Sequence, residues 1–232
     1  MFITKCSFPV AIICAFSFGS VMAQDKKAQT IKDWGEFIDP AGDCQVVQKE
    51  GRVTIKVPGT QHNLNPTPEY DNCLAPRVLR EVDGDFQVRV KAFAFPIPEA
   101  NTSTTKQGHS YVAAGLLVWQ DEKTFVRCLR AALGEGGEVF VHVEPFVNGK
   151  YPARGYQAMK DRRTPDKDVY LQAERRGKDF TFSRSMDGKE WEAIVKLTNL
   201  NLAKKLRVGV AVVNSTKAEV SPQFAEFTIT GK

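Results

Sequence analysis

The feature that most constrains this chain is a two-residue alternation of apolar and polar side chains. Residues 53–57, 86–93 and 139–144 follow this alternation. In an extended strand, successive side chains point to opposite faces, so the pattern predicts strands with one buried and one solvent-facing side. Residues 115–119 and 206–213 are more continuously apolar, as expected of central strands covered on both faces. We therefore predict an all-β protein.

Short turn segments separate the predicted strands. Each contains a residue that tolerates positive φ, the usual signal of a hairpin: Asp83-Gly84, Asn148-Gly149, Arg176-Gly177-Lys178 and Asp187-Gly188. Many short strands joined in this way predict a sandwich or a barrel, and an apolar fraction of 42% is sufficient for its core. Residues 96–110 and 151–167 interrupt the pattern and are predicted loops, where binding sites commonly lie.

The N-terminal residues are typical of a secretory signal peptide. Lys5 supplies a short positive region, residues 8–18 are mostly apolar, and residues 21–23 are suited to a cleavage site. The alternative is a retained membrane anchor, but the apolar run is shorter than the ~20 residues that a spanning helix needs. We predict that residues 1–23 are removed. Residues 24–232 would then be a single secreted or periplasmic domain without a membrane span.

The charge distribution argues against nucleic acid as a partner. The formal net charge is +5, and basic residues are interspersed with acidic ones rather than grouped with aromatic residues. The sequence also lacks a nucleophile elbow, a phosphate loop and a zincin pattern. It therefore predicts no cofactor.

Three cysteines follow the predicted signal peptide: Cys44, Cys73 and Cys128. One disulfide and one free thiol is the simplest arrangement in an oxidising compartment. Cys128 lies within an apolar strand pattern and is predicted to be a buried thiol, which favours a Cys44–Cys73 bond. We predict no metal site, because CxxC spacing is absent and the chain has 3 histidines.

Several short strings occur together in a characteristic order: residues 42–44, 57–64, 75–80 followed by 84–86, 114–121, 170–177 and 185–191. In these strings the chain resembles a largely uncharacterised bacterial domain family of the concanavalin A-like lectin and glucanase superfamily. The resemblance covers nearly all of the chain after the signal peptide. It implies a jelly-roll sandwich of two antiparallel sheets, with a concave sheet of the kind that often binds saccharides in that superfamily.

Polar candidates for a saccharide site lie near the predicted strand starts. In the pattern of the family, His62, Asn63 and Arg77 offer an imidazole, an amide and a guanidinium that can converge on a sugar hydroxyl or carboxylate. The alternative is structural: Arg77 pins a loop and His62 caps a turn.

A saccharide site also requires an aromatic platform flanked by polar side chains. Trp119 ends an apolar strand, so core packing is its alternative role, and Arg127 follows it closely in sequence. Tyr151 and Tyr156 lie in a long basic loop with Arg154 between them. These five residues complete the set of candidates.

Two strings that look enzymatic are better interpreted as turns. Residues 81–85 carry carboxylates at alternate positions, but Gly84 places them at a hairpin tip. Residues 185–191 resemble a shortened Asp-box, whose aspartate binds backbone amides. The sequence thus favours an exported, non-catalytic module that binds carbohydrate. The alternatives are a glycoside hydrolase or lyase in which His62 and Arg77 act on an acidic sugar, and a domain that binds a cell-envelope protein.

Overall fold

The computed structural model describes residues 29–106, 108–152 and 163–231. Within these residues the secondary structure consists of strands without helices, as predicted, and no helix long and apolar enough to cross a membrane occurs there. The strands are β1 (Gln29–Ile31), β2 (Gly35–Ile38), β3 (Gln45–Lys49), β4 (Arg52–Lys56), β5 (Arg77–Asp83), β6 (Phe86–Ala92), β7 (Tyr111–Asp121), β8 (Thr124–Leu133), β9 (Glu138–Phe146), β10 (Val169–Arg176), β11 (Asp179–Ser185), β12 (Glu192–Leu197), β13 (Lys205–Asn214) and β14 (Gln223–Gly231).

The strands form two seven-stranded antiparallel sheets. The front sheet has the order β1-β2-β5-β13-β7-β8-β9, and the back sheet has the order β12-β11-β10-β6-β14-β4-β3. Strands distant in sequence are paired in space: β13 lies between β5 and β7, and β14 lies between β6 and β4. The predicted all-β jelly-roll sandwich is confirmed.

The sandwich core explains the alternation in the sequence. On β6, Val88 and Val90 are fully buried between the sheets, whereas Arg89 and Lys91 on the outer face are half-buried. Residues of β10 and β13 with the same periodicity complete the core from both sheets. Burial of these apolar faces is the main force that holds the two sheets together.

The front sheet is covered on its outer face as well. Phe125 and Leu129 of β8 pack in a second apolar cluster with Leu64 and Ala75. Leu64 and Ala75 belong to residues 57–76, which connect β4 to β5 and are called the covering segment below. This second layer explains why strands such as β7 and β13 are apolar at successive positions.

Both enzyme-like strings form turns. Gly84 adopts a φ of +69° in the turn between β5 and β6, and the carboxylates of Glu81 and Asp83 are exposed. The predicted hairpin at this turn is wrong, because β5 belongs to the front sheet and β6 to the back sheet, so the turn connects the two sheets. In the other string, one oxygen of Asp187 accepts hydrogen bonds from two backbone amides, at 2.8 and 2.9 Å. The interpretation of both strings as turns is confirmed.

The predicted disulfide is wrong, because Cys44, Cys73 and Cys128 are all free thiols. Cys44 packs into the core between the sheets, while Cys73 packs against the cluster under the covering segment and donates to the Glu122 carbonyl at 3.4 Å. The two side chains are thus held by different layers, and a disulfide requires their Cα atoms within about 7 Å. Cys128 is fully buried, as predicted.

Candidate functional site

A cavity of about 320 Å³ lies on the outer face of the front sheet, beside the covering segment. Its volume is within the range of roughly 300–1,000 Å³ that small-molecule sites occupy. This cavity, called the central cavity below, is lined by both aromatic rings and polar side chains, among them Tyr70, Tyr111, Phe140, Tyr151, His109, His142, Arg127 and Glu144.

The floor of the central cavity is a buried ion pair between Arg127 and Glu144. The two residues are directly opposite each other on β8 and β9, so the strand register sets their contact. Arg127 Nε donates to Glu144 Oε2 at 2.5 Å, and Arg127 Nη1 donates to the carbonyl of Leu64 at 2.6 Å. The guanidinium therefore joins the front sheet to the covering segment.

Both partners of the pair are charged. Burial opposes ionisation of each, but their mutual attraction outweighs it: the pKa of Arg127 is raised and the pKa of Glu144 is lowered. In a buried pair of this kind, the attraction between the two charges offsets the cost of removing them from water. Loss of either charge leaves the other buried without compensation.

His142 lies two residues before Glu144 and faces the same side of β9. Its Nδ1 is 3.3 Å from Glu144 Oε2 without meeting hydrogen-bond geometry, and its Nε2 is 2.9 Å from the hydroxyl of Tyr111. Burial lowers the pKa of His142 to about 4 despite the nearby carboxylate, so the ring is neutral at pH 7. A proton on Nδ1, towards Glu144, leaves Nε2 to accept from the tyrosine.

Tyr151 forms one wall of the cavity. Its ring packs against Phe146 with 4.7 Å between centroids, and its hydroxyl donates to Glu144 Oε1 at 3.4 Å. The amide of Asn65 in the covering segment donates to the same hydroxyl at 3.5 Å. The cavity therefore has its polar and aromatic groups oriented by interactions within the protein.

Arg77 and Trp119 line a separate surface depression of about 450 Å³, with Glu36, Gln120 and Arg207 nearby. The guanidinium of Arg77 lies 4.2 Å from the Trp119 ring centroid and donates to the carbonyls of Cys73 and Ala75. Arg77 is 3% exposed and Trp119 is 2% exposed. Trp119 is thus a core residue with no ring face open to a sugar, and Arg77 pins the covering segment.

The remaining candidates have different positions. Asn63 borders the central cavity, and its Oδ1 accepts from the backbone amide of Leu64. His62 is 1% exposed and contacts Asp43 and Thr60. Arg154 and Tyr156 lie outside the described residues. The structure therefore brings Asn63, Arg127 and Tyr151 to one cavity, whereas His62 and Arg77 lie at other places.

The sequence interpretation missed Tyr111, His142 and Glu144 as members of one site. The signal was present in the alternation of residues 139–144, which places His142 and Glu144 on one face of a strand. The strand register that brings Arg127 opposite Glu144 could not be predicted from the sequence.

Comparison with protein families gives a match over residues 43–232, to a family described as "Protein of unknown function (DUF1349)". The chain belongs to this family. A search of the curated proteins gives no match.

Solved structures with the same fold come from proteins of different kinds. A functionally unknown protein from Saccharomyces cerevisiae has a TM-score of 0.66 and 14% identity over 86% of this chain and 97% of its own. The GH43 protein BlXynB from Bacillus licheniformis has a TM-score of 0.60 and 13% identity over 89% of this chain but 38% of its own. An alginate lyase from Klebsiella pneumoniae has a TM-score of 0.50 and 12% identity, over 81% and 84%. At these identities the likeness concerns the fold.

Breaking the ion pair should destabilise the protein more than removing it. Arg127→Met leaves Glu144 buried without its partner, so we expect a loss of about 3–5 kcal/mol in the free energy of unfolding. The double variant Arg127→Met/Glu144→Leu should lose less, because no buried charge remains. Urea unfolding of the two variants and the wild type provides the comparison. A double variant as unstable as Arg127→Met, or less stable, would contradict this account.

His142 should make the protein less stable in acid. Its pKa is about 4 in the folded chain and 6.5 ordinarily, so between these values the unfolded chain takes up a proton that the folded chain does not. As the pH falls from 6.5 to about 4, this residue should remove up to about 3 kcal/mol of stability. The variant His142→Gln should not show this loss of stability in acid. The variant His109→Gln, at an exposed position, should show it as the wild type does. The free energy of unfolding is measured by urea unfolding at several pH values between 6.5 and 4. If it changes with pH equally in the wild type and in His142→Gln, the loss of stability does not come from His142.

Proposed function

We propose that the protein is an exported module that binds a saccharide in the central cavity without cleaving it. The observation that carries the proposal is the lining of this cavity, where aromatic rings and hydrogen-bonding groups surround the fixed Arg127–Glu144 pair. Saccharide sites combine rings that pack on the apolar face of a pyranose with planar polar groups that bind its hydroxyls.

The rings and the polar groups have distinct roles in this proposal. Tyr70 is half-buried at the rim of the cavity and supplies a surface for stacking. Tyr151, Tyr111 and His142 carry polar atoms that are already oriented by contacts within the protein. A ligand bound here would meet groups that need little reordering, which reduces the entropic cost of binding.

The geometry favours binding over catalysis. Arg127 is bonded to Glu144 and to a backbone carbonyl, so its charge is already balanced before a ligand arrives. His62 and Arg77, the pair considered for an enzyme acting on an acidic sugar, contact different partners. Arg77 lines the depression beside Trp119, and His62 is not among the residues that line it. The fold shared with a GH43 protein and an alginate lyase supports a relation to carbohydrate and does not assign their activities to this chain.

The proposal includes the wider context of the chain. We infer that residues 24–232 are a single domain of the concanavalin A-like superfamily from a bacterial protein, as the sequence resemblance implies, and that it acts outside the cytoplasm. A cell-envelope polysaccharide is then the natural class of ligand.

Loss of the aromatic rim should weaken saccharide binding. The purified protein is first screened on a glycan array, and the best ligand is titrated by calorimetry. Tyr70→Ala should raise its Kd about tenfold or more, equivalent to about 1.4 kcal/mol. Tyr170→Ala provides a matched control, because Tyr170 lies on the back sheet in contact with Glu226.

Three outcomes would overturn the proposal. Absence of binding to any glycan at millimolar concentration would remove its basis. Capture of an envelope protein through this face without glycan binding would favour the interaction domain. Turnover of the bound glycan would favour the hydrolase or lyase.

Export can be tested independently of the ligand. We expect the extracytoplasmic fraction to contain a chain that begins at Gln24, because Ala23 is a small residue suited to cleavage by signal peptidase. Ala23→Asp should block processing, whereas Ala28→Asp should not. N-terminal sequencing of the fractions gives the result. A full-length chain retained in the membrane would instead support the anchor interpretation.

A further inference from the structure

A second polar cluster lies apart from the central cavity. Asp43 and Cys44 immediately precede β3, and His62 belongs to the covering segment. One carboxylate oxygen, the thiol sulfur and one imidazole nitrogen all lie within 4.8 Å of one another. Asp43 Oδ1 is 2.8 Å from His62 Nε2 and 3.5 Å from Cys44 Sγ. Two segments distant in sequence therefore contribute three potential metal ligands to one point.

The burial of the cluster suits a bound ion. His62 is 1% exposed and Cys44 is 6% exposed, whereas the side chain of Asp43 is 44% exposed. The two buried donors are shielded from solvent, and the carboxylate leaves an open side through which an ion can enter.

The contacts of both ring nitrogens of His62 are compatible with a bound metal ion. Its Nδ1 is 3.2 Å from the carbonyl of Thr60, and its Nε2 is 2.8 Å from the carboxylate of Asp43. Both of these oxygens are acceptors, but a neutral imidazole carries only one N–H. In the neutral tautomer with the proton on Nε2, that N–H donates to Asp43 and Nδ1 accepts from the Thr60 hydroxyl at 3.3 Å. In the other neutral tautomer, Nδ1–H donates to the Thr60 carbonyl and the Nε2 lone pair is directed towards Asp43, where it is free to bind a metal ion.

The contact with Thr60 is the kind that supports a metal ligand. A histidine bound to a metal usually donates its other N–H to a backbone carbonyl or a carboxylate, which fixes the orientation of the ring. The Thr60 hydroxyl also lies near Nδ1, at 3.3 Å. Nε2 is consequently held towards the carboxylate and the thiol.

The thiol adds a sulfur donor to the cluster. Cys44 Sγ lies 3.5 Å from Asp43 Oδ1, the same carboxylate oxygen that His62 Nε2 approaches. Asp39 accepts from the backbone amides of Gly42 and Cys44, at 3.0 and 2.9 Å, so the loop that presents the thiol is also fixed. Burial and the carboxylates of Asp39 and Asp43 raise the pKa of Cys44, and a divalent cation would counteract this effect by stabilising the thiolate.

We propose that Asp43, Cys44 and His62 form a binding site for one Zn²⁺ ion. Sulfur, nitrogen and oxygen donors together match the preferences of zinc, whereas calcium and magnesium require oxygen ligands. Three protein ligands leave the fourth tetrahedral position to water. The ion would connect the loop before β3 to the covering segment, and thereby stabilise the segment that borders the central cavity. No metal was predicted from the sequence, because the ligands lack a compact spacing.

The first experiment measures zinc binding to the purified protein after treatment with a chelator. We expect one Zn²⁺ per chain and a higher Tm when zinc is added, because an ion that binds only the folded state stabilises it. Cys44→Ser and His62→Gln should weaken zinc binding by about 100-fold or more, since each removes a direct ligand. Cys73→Ser is the matched control, because this thiol contacts the Glu122 carbonyl and lies outside the cluster. It should bind zinc like the wild type.

Cys44→Ser and His62→Gln change buried residues and can lose zinc binding by misfolding, so a variant at a partly exposed ligand is also needed. Asp43 is partly exposed, so Asp43→Asn should leave the fold intact while it weakens zinc binding. Replacement of zinc by Co²⁺ gives a direct readout: a thiolate-to-cobalt charge-transfer band should appear in the wild type and in Cys73→Ser but not in Cys44→Ser. Each of two results would overturn the proposal: a wild type whose Tm and metal content are unchanged by zinc, or a cobalt band that survives in Cys44→Ser. Either would leave Asp43 and His62 as a hydrogen-bonded pair without a metal.

Discussion

The outer face of this sandwich depends on the buried ion pair between Arg127 and Glu144. Their direct opposition on β8 and β9 lets one guanidinium satisfy a carboxylate and, at the same time, the Leu64 carbonyl of the covering segment. Arg77 also donates to two carbonyls of the covering segment, and the backbone of His62 pairs with that of Asn214 on β13. The ion pair adds the directional contact at Leu64, beside the central cavity.

The same pair organises the chemistry around it. Glu144 also approaches Tyr151 and His142, and His142 in turn is hydrogen-bonded to Tyr111. Burial keeps the imidazole neutral, so the network carries a single compensated pair of charges. Such a network is rigid, because each group is oriented by another. This rigidity suits a binding site that recognises hydroxyl groups, and it explains why these charged residues lie in an otherwise apolar layer.

Local patterns predicted the elements more successfully than the contacts between them. The alternation along β6 and the glycine at position 84 are properties of a few successive residues, and the strand and the turn that they predict are present. The turn connects the two sheets instead of closing a hairpin, because β5 and β6 pair with other strands. The Cys44–Cys73 bond was predicted by elimination, and it fails because the two thiols pack in different layers. Arg127 was a candidate by its closeness to Trp119, but its true partner lies on the next strand.

The sequence by itself determined the all-β class, the turns at Gly84 and Asp187-Gly188, and the burial of Cys128. These follow from side-chain periodicity and from backbone preferences, which act between neighbouring residues. Periodicity left both a sandwich and a barrel open, and the sandwich was implied by the resemblance to a known family. Only the tertiary structure decided that Arg127 meets Glu144, that Arg77 covers Trp119, and that Asp43 and Cys44 meet His62. Such pairings depend on strand register and on the path of a long connection, and both are settled by packing of the whole fold rather than by any local stretch of chain.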